Sequence, residues 1–425
     1  MHQIKNISYN NQAIAVKSDI SAKTMDRRDA YQTIVDNLKA LGYDSIEWHL
    51  DEIVNDIKEE VDQIFGIGIN TEGIINILTK KYNMNNNEII TGSLKLLDSN
   101  REWEEIYARY AKELINNQKT YNDIAKKFHK PYSLVVYSTI GKVLDESSTF
   151  SYDLRFAGQS VGGIKVKKGD KICLYVSEKQ SKYAKEHFGF TNSKVIKGEA
   201  WHSKEAQEFR TFYGKQNSTN LINIKSEEHR IESFLLQEFS KTKSEGKKLC
   251  NIQPVRLGGK FFQLTTPLSA SNHIPSLSLT KDKKGATGGG IDILARVKHN
   301  HFGFRFAVIE LKDDNDASEC QEQVMYQALI YATFLAKLFR SERGKDWYNI
   351  LRPLKSRETD VPRKIMIDVI TLMPSGNSKE GELEPIEIPE LNVTLCPYTL
   401  YYTKDQYGNP DVFSGKLYEE LKKYK

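Results

Sequence analysis

Residues Thr287–Lys312 read TGGGIDILARVKHNHFGFRFAVIELK, two apolar runs separated by KHNHFG. Both runs are short and rich in β-branched and aromatic residues, and the segment between them is polar with a glycine, so the stretch predicts a β-hairpin. Successive strand side chains point to opposite faces. Asp292 therefore points away from Ile291 and Ile293, while Glu310 and Lys312 share one face and Ile309 and Leu311 the other. In a hairpin the start of the first strand lies beside the end of the second, which brings Asp292 to Glu310 and Lys312. Without Asp292, Glu310 and Lys312 are an ion pair at a strand end. With it, they are a candidate metal site.

The flanking segments extend the pattern. SEEHRIESFLLQEFSKTK, from Ser226, has helical apolar spacing at Ile231, Phe234, Leu235 and Phe239. The strand-like CNIQPVRL and KFFQLTTPL follow, then the hairpin, the helix ASECQEQVMYQALIYATFLAKLFR and the strand KIMIDVITLM. Helix, strands, helix and strand outline an α/β sandwich. Hard divalent cations take oxygen ligands from carboxylates, carbonyls, water and substrate phosphates. Asp292, Glu310 and the backbone carbonyl of Leu311 form such a set, and Lys312 is placed to orient or help deprotonate an attacking water.

In this order the residues resemble the PD-(D/E)XK nuclease superfamily, which has the restriction-endonuclease-like fold. The family's acidic residue in the first helix corresponds to Glu232, its strand-start Asp to Asp292, its Glu-x-Lys to Glu310 and Lys312, and its Gln-x-x-x-Tyr to Gln327 and Tyr331. The resemblance covers roughly Ser226 to Met373. Ile291 stands where the family often has Pro, Glu228 is a second choice for the helix acid, and Gln323 with Tyr326 is a less well spaced rival to Gln327. The resemblance implies a mixed-sheet sandwich over residues 221–425, with Asp292, Glu310, Lys312, Glu232 and Gln327 catalytic. It also implies Mg²⁺ as cofactor, with Mn²⁺ able to substitute.

The 425 residues suffice for two or three domains, and 39% hydrophobic against 28% charged residues describes a globular chain. No apolar segment follows the start MHQIKNISYN, which argues against a signal peptide and a membrane span. Cys173, Cys250, Cys320 and Cys396 are widely spaced and read as reduced thiols of a cytoplasmic protein. Charge is uneven. Residues 1–150 hold 18 Lys+Arg against 22 Asp+Glu, residues 151–225 hold 14 against 7, and residues 226–425 hold 29 against 27. A basic middle segment suits a polyanionic partner, DNA first of all, because phosphate neutralisation dominates nucleic-acid affinity.

Three regions are expected: a helical region at 1–147, a small basic α+β region at 148–220, and the nuclease-like domain at 221–425, with the linker in QNSTNLINI, residues 216–224. Two segments of the first region, Ile77–Asp98 and Ile124–Asp145, share a helix-turn-helix-like pattern. The second would present Ser133–Lys142 as a recognition helix, but that helix is mostly apolar with a single lysine in an acidic segment, which favours a small helical packing or oligomerisation module. In the middle region, lysines and Arg210 interleave with Tyr183, Phe188, Phe190, Trp201, Phe209, Phe212 and Tyr213, most of which are expected in the core. Gly169-Asp170 marks a tight turn. His299 and His301, in KHNHF, are read as a solvated turn rather than a zinc pair.

The expected function is Mg²⁺-dependent hydrolysis of DNA phosphodiester bonds by a restriction or antiviral defence endonuclease. Homo-oligomerisation is expected, because cutting two strands takes a pair of sites. The alternatives are an RNA-directed nuclease, or a nucleic-acid-binding or regulatory protein that keeps the nuclease-like fold as scaffold.

Overall fold

A computed structural model describes residues 85–118, 123–124, 130, 133–140, 148–216, 226–249, 251–270, 273–280, 282, 285–300, 303–314, 320–353, 359–376 and 383–423. The chain divides into two compact units, residues 1–92 with 270–275, and residues 93–269 with 276–425. The second unit carries both large sheets and all the candidate residues.

Helices α1 (Asn86–Ser99) and α2 (Glu102–Asn116) come first. Within α2, Trp103, Ile106, Tyr107 and Tyr110 make an apolar stripe at helical spacing. The next strands are β1 (Leu134–Thr139), β2 (Ser148–Phe156), β3 (Gln159–Lys167) and β4 (Lys171–Val176), followed by α3 (Glu178–Phe188), β5 (Ile196–Ala200) and α4 (Lys204–Lys215). Helix α5 (Glu227–Glu238) leads into β6 (Ile252–Pro254), β7 (Arg256–Leu257), β8 (Lys260–Phe262) and the small pair β9 (Leu268–Ser269) and β10 (Ser276–Leu277). The hairpin β11 (Ile293–Asn300) and β12 (Gly303–Leu311) precedes α6 (Gln321–Arg340) and α7 (Gly344–Leu351). Strands β13 (Ile365–Pro374), β14 (Ile386–Ile388), β15 (Val393–Lys404) and β16 (Pro410–Ser414) and helix α8 (Lys416–Lys422) complete the unit.

The first sheet has the order β5-β4-β3-β2-β1-β8-β7, antiparallel except where β1 runs parallel to β8. It thus joins residues on both sides of the 216–224 segment. Leu134–Thr139 is a strand of this sheet, not part of a recognition helix. The run Leu-Val-Val-Tyr-Ser-Thr combines β-branched and aromatic residues, which fit a pleated surface better than a helix, and pairing with β2 and β8 completes the choice. In the first repeat-like segment the second half is helix α1, and its first half lies outside the described residues. The Gly169-Asp170 turn joins β3 to β4 with φ of 78° and 61°.

The second sheet, β14-β15-β13-β12-β11-β6 with β16 on β15, is mixed: β12, β13 and β15 run parallel, and the other pairings are antiparallel. Ile293, Ala295, Val297, Ala307, Ile309 and Leu311 pack on one face against Ile231, Leu235, Leu236 and Phe239 of α5 and Leu417 and Leu421 of α8. The alternate residues Leu294, Phe306 and Val308 are buried too, on the side that α6 covers through contacts such as Phe306 with Phe339. A helix apolar nearly all round, as α6 is, belongs inside. A strand covered on both faces reads as an almost continuous apolar run, which is why AVIEL shows so little alternation.

Candidate active site

Strands β11 and β12 pair with Ile293 opposite Ile309, so the next position along the ladder sets Asp292 against Glu310. The link is direct: the Leu311 amide donates to Asp292 Oδ2 at 2.9 Å. The condition on which the metal-site reading of AVIELK depended is therefore met. Two glycines of the run before Asp292 are closely fitted to their surroundings. A Cβ on Gly288 would lie 2.3 Å from the backbone of Leu268, and Gly289 takes φ of +105°, with a Cβ there 2.9 Å from the Tyr331 hydroxyl. Tyr331 of α6 thus stands against the glycine run that leads into Asp292, and Gln327 is buried one turn earlier on the same helix.

Glu310 is 6% exposed and Lys312 8%. Lys312 Nζ lies 3.9 Å from Glu310 Oε1 and 3.6 Å from Glu228 Oε2. Its backbone is fixed on both sides, the amide donating to Leu372 O at 3.0 Å and the carbonyl accepting from the Tyr402 hydroxyl at 2.9 Å. Ser226 caps α5 by accepting from the His229 amide at 3.2 Å, which sets the start of the helix that carries the acids. Glu228 and Glu232 are four residues apart on α5 and share a face. The structure brings both to the cluster, Glu228 through Lys312 and Glu232 through its charge beside Asp292.

Glu232, 1% exposed, also meets the first sheet. It accepts from the Tyr137 hydroxyl at 3.2 Å, and Arg155 Nη1 stands 3.5 Å from the same oxygen. The Arg155 guanidinium is fully oriented: Nε donates to Asp153 Oδ2 at 2.9 Å, Nη2 donates to Gln263 Oε1 at 2.8 Å, and the plane lies 4.0 Å from the Tyr137 ring centroid. The β2–β3 turn docks against α5 so closely that a Cβ on Gly158, at φ +75°, would lie 1.9 Å from His229 O. Arg155, Tyr137 and Gln263 were not singled out from sequence. The signal for Arg155 was the alternation of SYDLRF, which sets Asp153 and Arg155 on one face.

Burial raises the Glu232 carboxyl to about 7 against the lowering pull of Arg155 and the Tyr137 hydrogen bond, with Glu228 and Asp153 adding to the rise. Asp292 also rises to about 7, first through burial and then through the charge of Glu232, opposed by the Leu311 amide, Lys312 and Arg155. Two acids whose charges oppose each other form a site that gains from a cation. Glu232 Oε2 is buried with no hydrogen-bond partner among the described residues.

The donors are all oxygen, as a hard cation requires. Among the described residues no three His, Cys, Asp or Glu side chains are grouped so as to hold a metal by themselves. Asp292, Glu310 and the Leu311 carbonyl would need water and substrate oxygens to complete a cation's ligand set, as Mg²⁺ usually takes them. His299 corrects its expected place in a solvated turn: it is buried on β11 and held by Asp368 Oδ2 at 2.6 Å and Glu420 Oε1 at 2.7 Å. His301 lies outside the described residues. The expected core role of the middle-region aromatics holds for Phe188, Phe190, Trp201, Phe209 and Tyr213, all buried.

Compared with protein-family models, with curated proteins and with solved structures, the chain matches none. Among the described residues no helix is long and apolar enough to cross a membrane.

Proposed function

We propose that this protein is a Mg²⁺-dependent DNA endonuclease that hydrolyses phosphodiester bonds, of the PD-(D/E)XK kind, serving restriction or antiviral defence. The observation that carries the reading is the Leu311–Asp292 hydrogen bond, which ties the Gly-run Asp to the strand-end Glu-Leu-Lys. A structural ion pair between Glu310 and Lys312 needs no third carboxylate tied to the same strand end.

Asp292, Glu310 and the Leu311 carbonyl would hold the ion, which when bound supplies Lewis-acid polarisation of the phosphate and a more acidic water. The chain's own residues do the rest. Lys312 orients the attacking water and offsets the charge that develops on the phosphate, while Glu228 and Glu310 limit where its ammonium can go. Arg155 and Tyr137 hold Glu232 on the wall of the site, and Gln327 lies on the helix that backs it. Lys182, Lys185, Lys194, Lys197 and Lys204 of the middle region are exposed and suit contacts to a phosphate backbone. Cutting both strands would take two copies of the chain.

A second reading, a nucleic-acid-binding or regulatory protein with this fold as scaffold, is favoured by one observation: among the described residues no three side chains form a complete metal cage. Incubating plasmid, linear DNA and RNA with the protein in Mg²⁺, Mn²⁺ or EDTA separates the readings. Cleavage that needs the metal and is lost in Lys312→Ala supports the nuclease. Tight binding without metal-stimulated cleavage supports the scaffold.

A further inference from the structure

Toward the C-terminal end of α5, away from Glu228, lies a cavity of about 260 Å³ bounded by β1, α5 and the β7–β8 turn. Lys130, Arg256 and Lys260 line it together with Gln237, Ser240 and Phe261. Arg256 lies with its guanidinium 5.0 Å from the Phe261 ring centroid. Behind it on β11, Arg296 donates from Nη2 to Pro254 O at 3.3 Å, while its Nε is buried with no hydrogen-bond partner among the described residues. Two further charged groups line the cavity: Lys241 donates to Glu238 Oε2 at 2.5 Å, and Glu245 Oε2 accepts from the Thr242 amide and hydroxyl at 2.7 Å each.

The four cations affect one another in a chain. Burial and then Lys260 bring Lys130 down to about 8, burial and then Arg256 lower Lys260, and burial and then Arg256 bring Arg296 down to about 10. Like charges gathered in partly dry surroundings oppose one another, and an anion among them relieves that repulsion. Arginine forks and lysine ammonium groups together match the oxygens of a phosphate. The cavity is too small for a duplex but has room for a phosphate and the group that carries it.

We propose that this cavity binds a phosphate group through Lys130, Arg256 and Lys260, with Arg296 behind them, the phosphate arriving on a small phosphorylated ligand or on a nucleic-acid strand. The proposal does not rest on the nuclease reading, since none of these residues belongs to the acidic cluster.

The test is thermal unfolding of the full chain titrated with sodium pyrophosphate at constant ionic strength, alongside mass-spectrometric mapping of lysine acetylation. Pyrophosphate should raise Tm saturably by several degrees, protect Lys130 and Lys260 from acetylation in the unmutated protein, and bind at least about tenfold more weakly to Arg256→Gln. Asp292→Asn should bind it unchanged. An absent Tm shift, an equal shift in Arg256→Gln, or unprotected lysines would overturn the site. Two further probes separate the sources. If Arg256→Gln weakens a single-stranded DNA oligonucleotide about tenfold and pyrophosphate competes with that oligonucleotide, the phosphate comes from a strand. If only AMP and pyrophosphate are affected, the ligand is small.

Discussion

The Leu311 amide donates to Asp292 Oδ2 at 2.9 Å, joining two residues on neighbouring strands at the point where the sheet meets α5. This bond fixes which Asp292 oxygen faces the strand and which faces the cluster. Asp292→Ala should therefore abolish metal-dependent cleavage, a loss on the order of 10³-fold or more if it removes the positioned cation. Circular dichroism should show the fold retained. Activity within about threefold of the parent would remove Asp292 from the mechanism.

The same carboxylate makes stability depend on pH. A carboxyl whose folded pKa lies above its unfolded value near 4 binds more protons folded than unfolded between the two values. Stability should thus fall as pH rises from about 4 to about 7, since Asp292 and Glu232 both titrate near 7 in the fold. Asp292→Asn should be neutral near pH 4 and stabilising at pH 8, by on the order of 1–3 kcal/mol after allowance for partial solvent screening. Urea denaturation at both pH values checks this. Equal stability differences at the two pH values would mean that Asp292 is not held in this environment.

Arg155 is the counter-charge of Glu232, at 3.5 Å. Arg155→Met leaves a buried carboxylate beside Asp292 and should destabilise by about 3–5 kcal/mol. Adding Glu232→Gln should recover much of that loss, because the unpaired charge is gone. A double-mutant cycle in chemical denaturation measures the coupling. Additive effects would show that the pair does not interact.

The β2–β3 turn is fitted to α5 at Gly158, where both the positive φ and the 1.9 Å approach to His229 O exclude a side chain. Gly158→Ala should cost about 2–4 kcal/mol and shift Arg155 away from Glu232. A Tm within a degree of the parent would show that the turn does not dock as described.

Much of the site was legible because it is local. The hairpin, its glycine run and the Glu-Leu-Lys strand end follow from spacing and turn chemistry, and the helix after Ser226 from its apolar periodicity. What sequence did not show depends on distant pairing. Leu134–Thr139 has an apolar run compatible with a helix until β2 and β8 pair with it. Arg155 acquires its role only when the first sheet reaches α5. His299 read as a turn residue because its partners, Asp368 on β13 and Glu420 on α8, come from far along the chain. There burial would lower the His299 pKa, but the hydrogen bond and charge of Asp368 outweigh it. Its contribution to stability is present at acid pH and is lost as pH rises through the folded pKa. His299→Gln should accordingly cost more stability at pH 5 than at pH 9, with DNA cleavage unchanged.

The most direct measurement is cleavage of supercoiled plasmid by the parent protein, Asp292→Asn and Lys312→Ala, each in Mg²⁺ and in EDTA. The account predicts nicked or linear product for the parent in Mg²⁺ and intact plasmid in the other five samples. Equal cleavage by Lys312→Ala, or cleavage by the parent in EDTA, would contradict it.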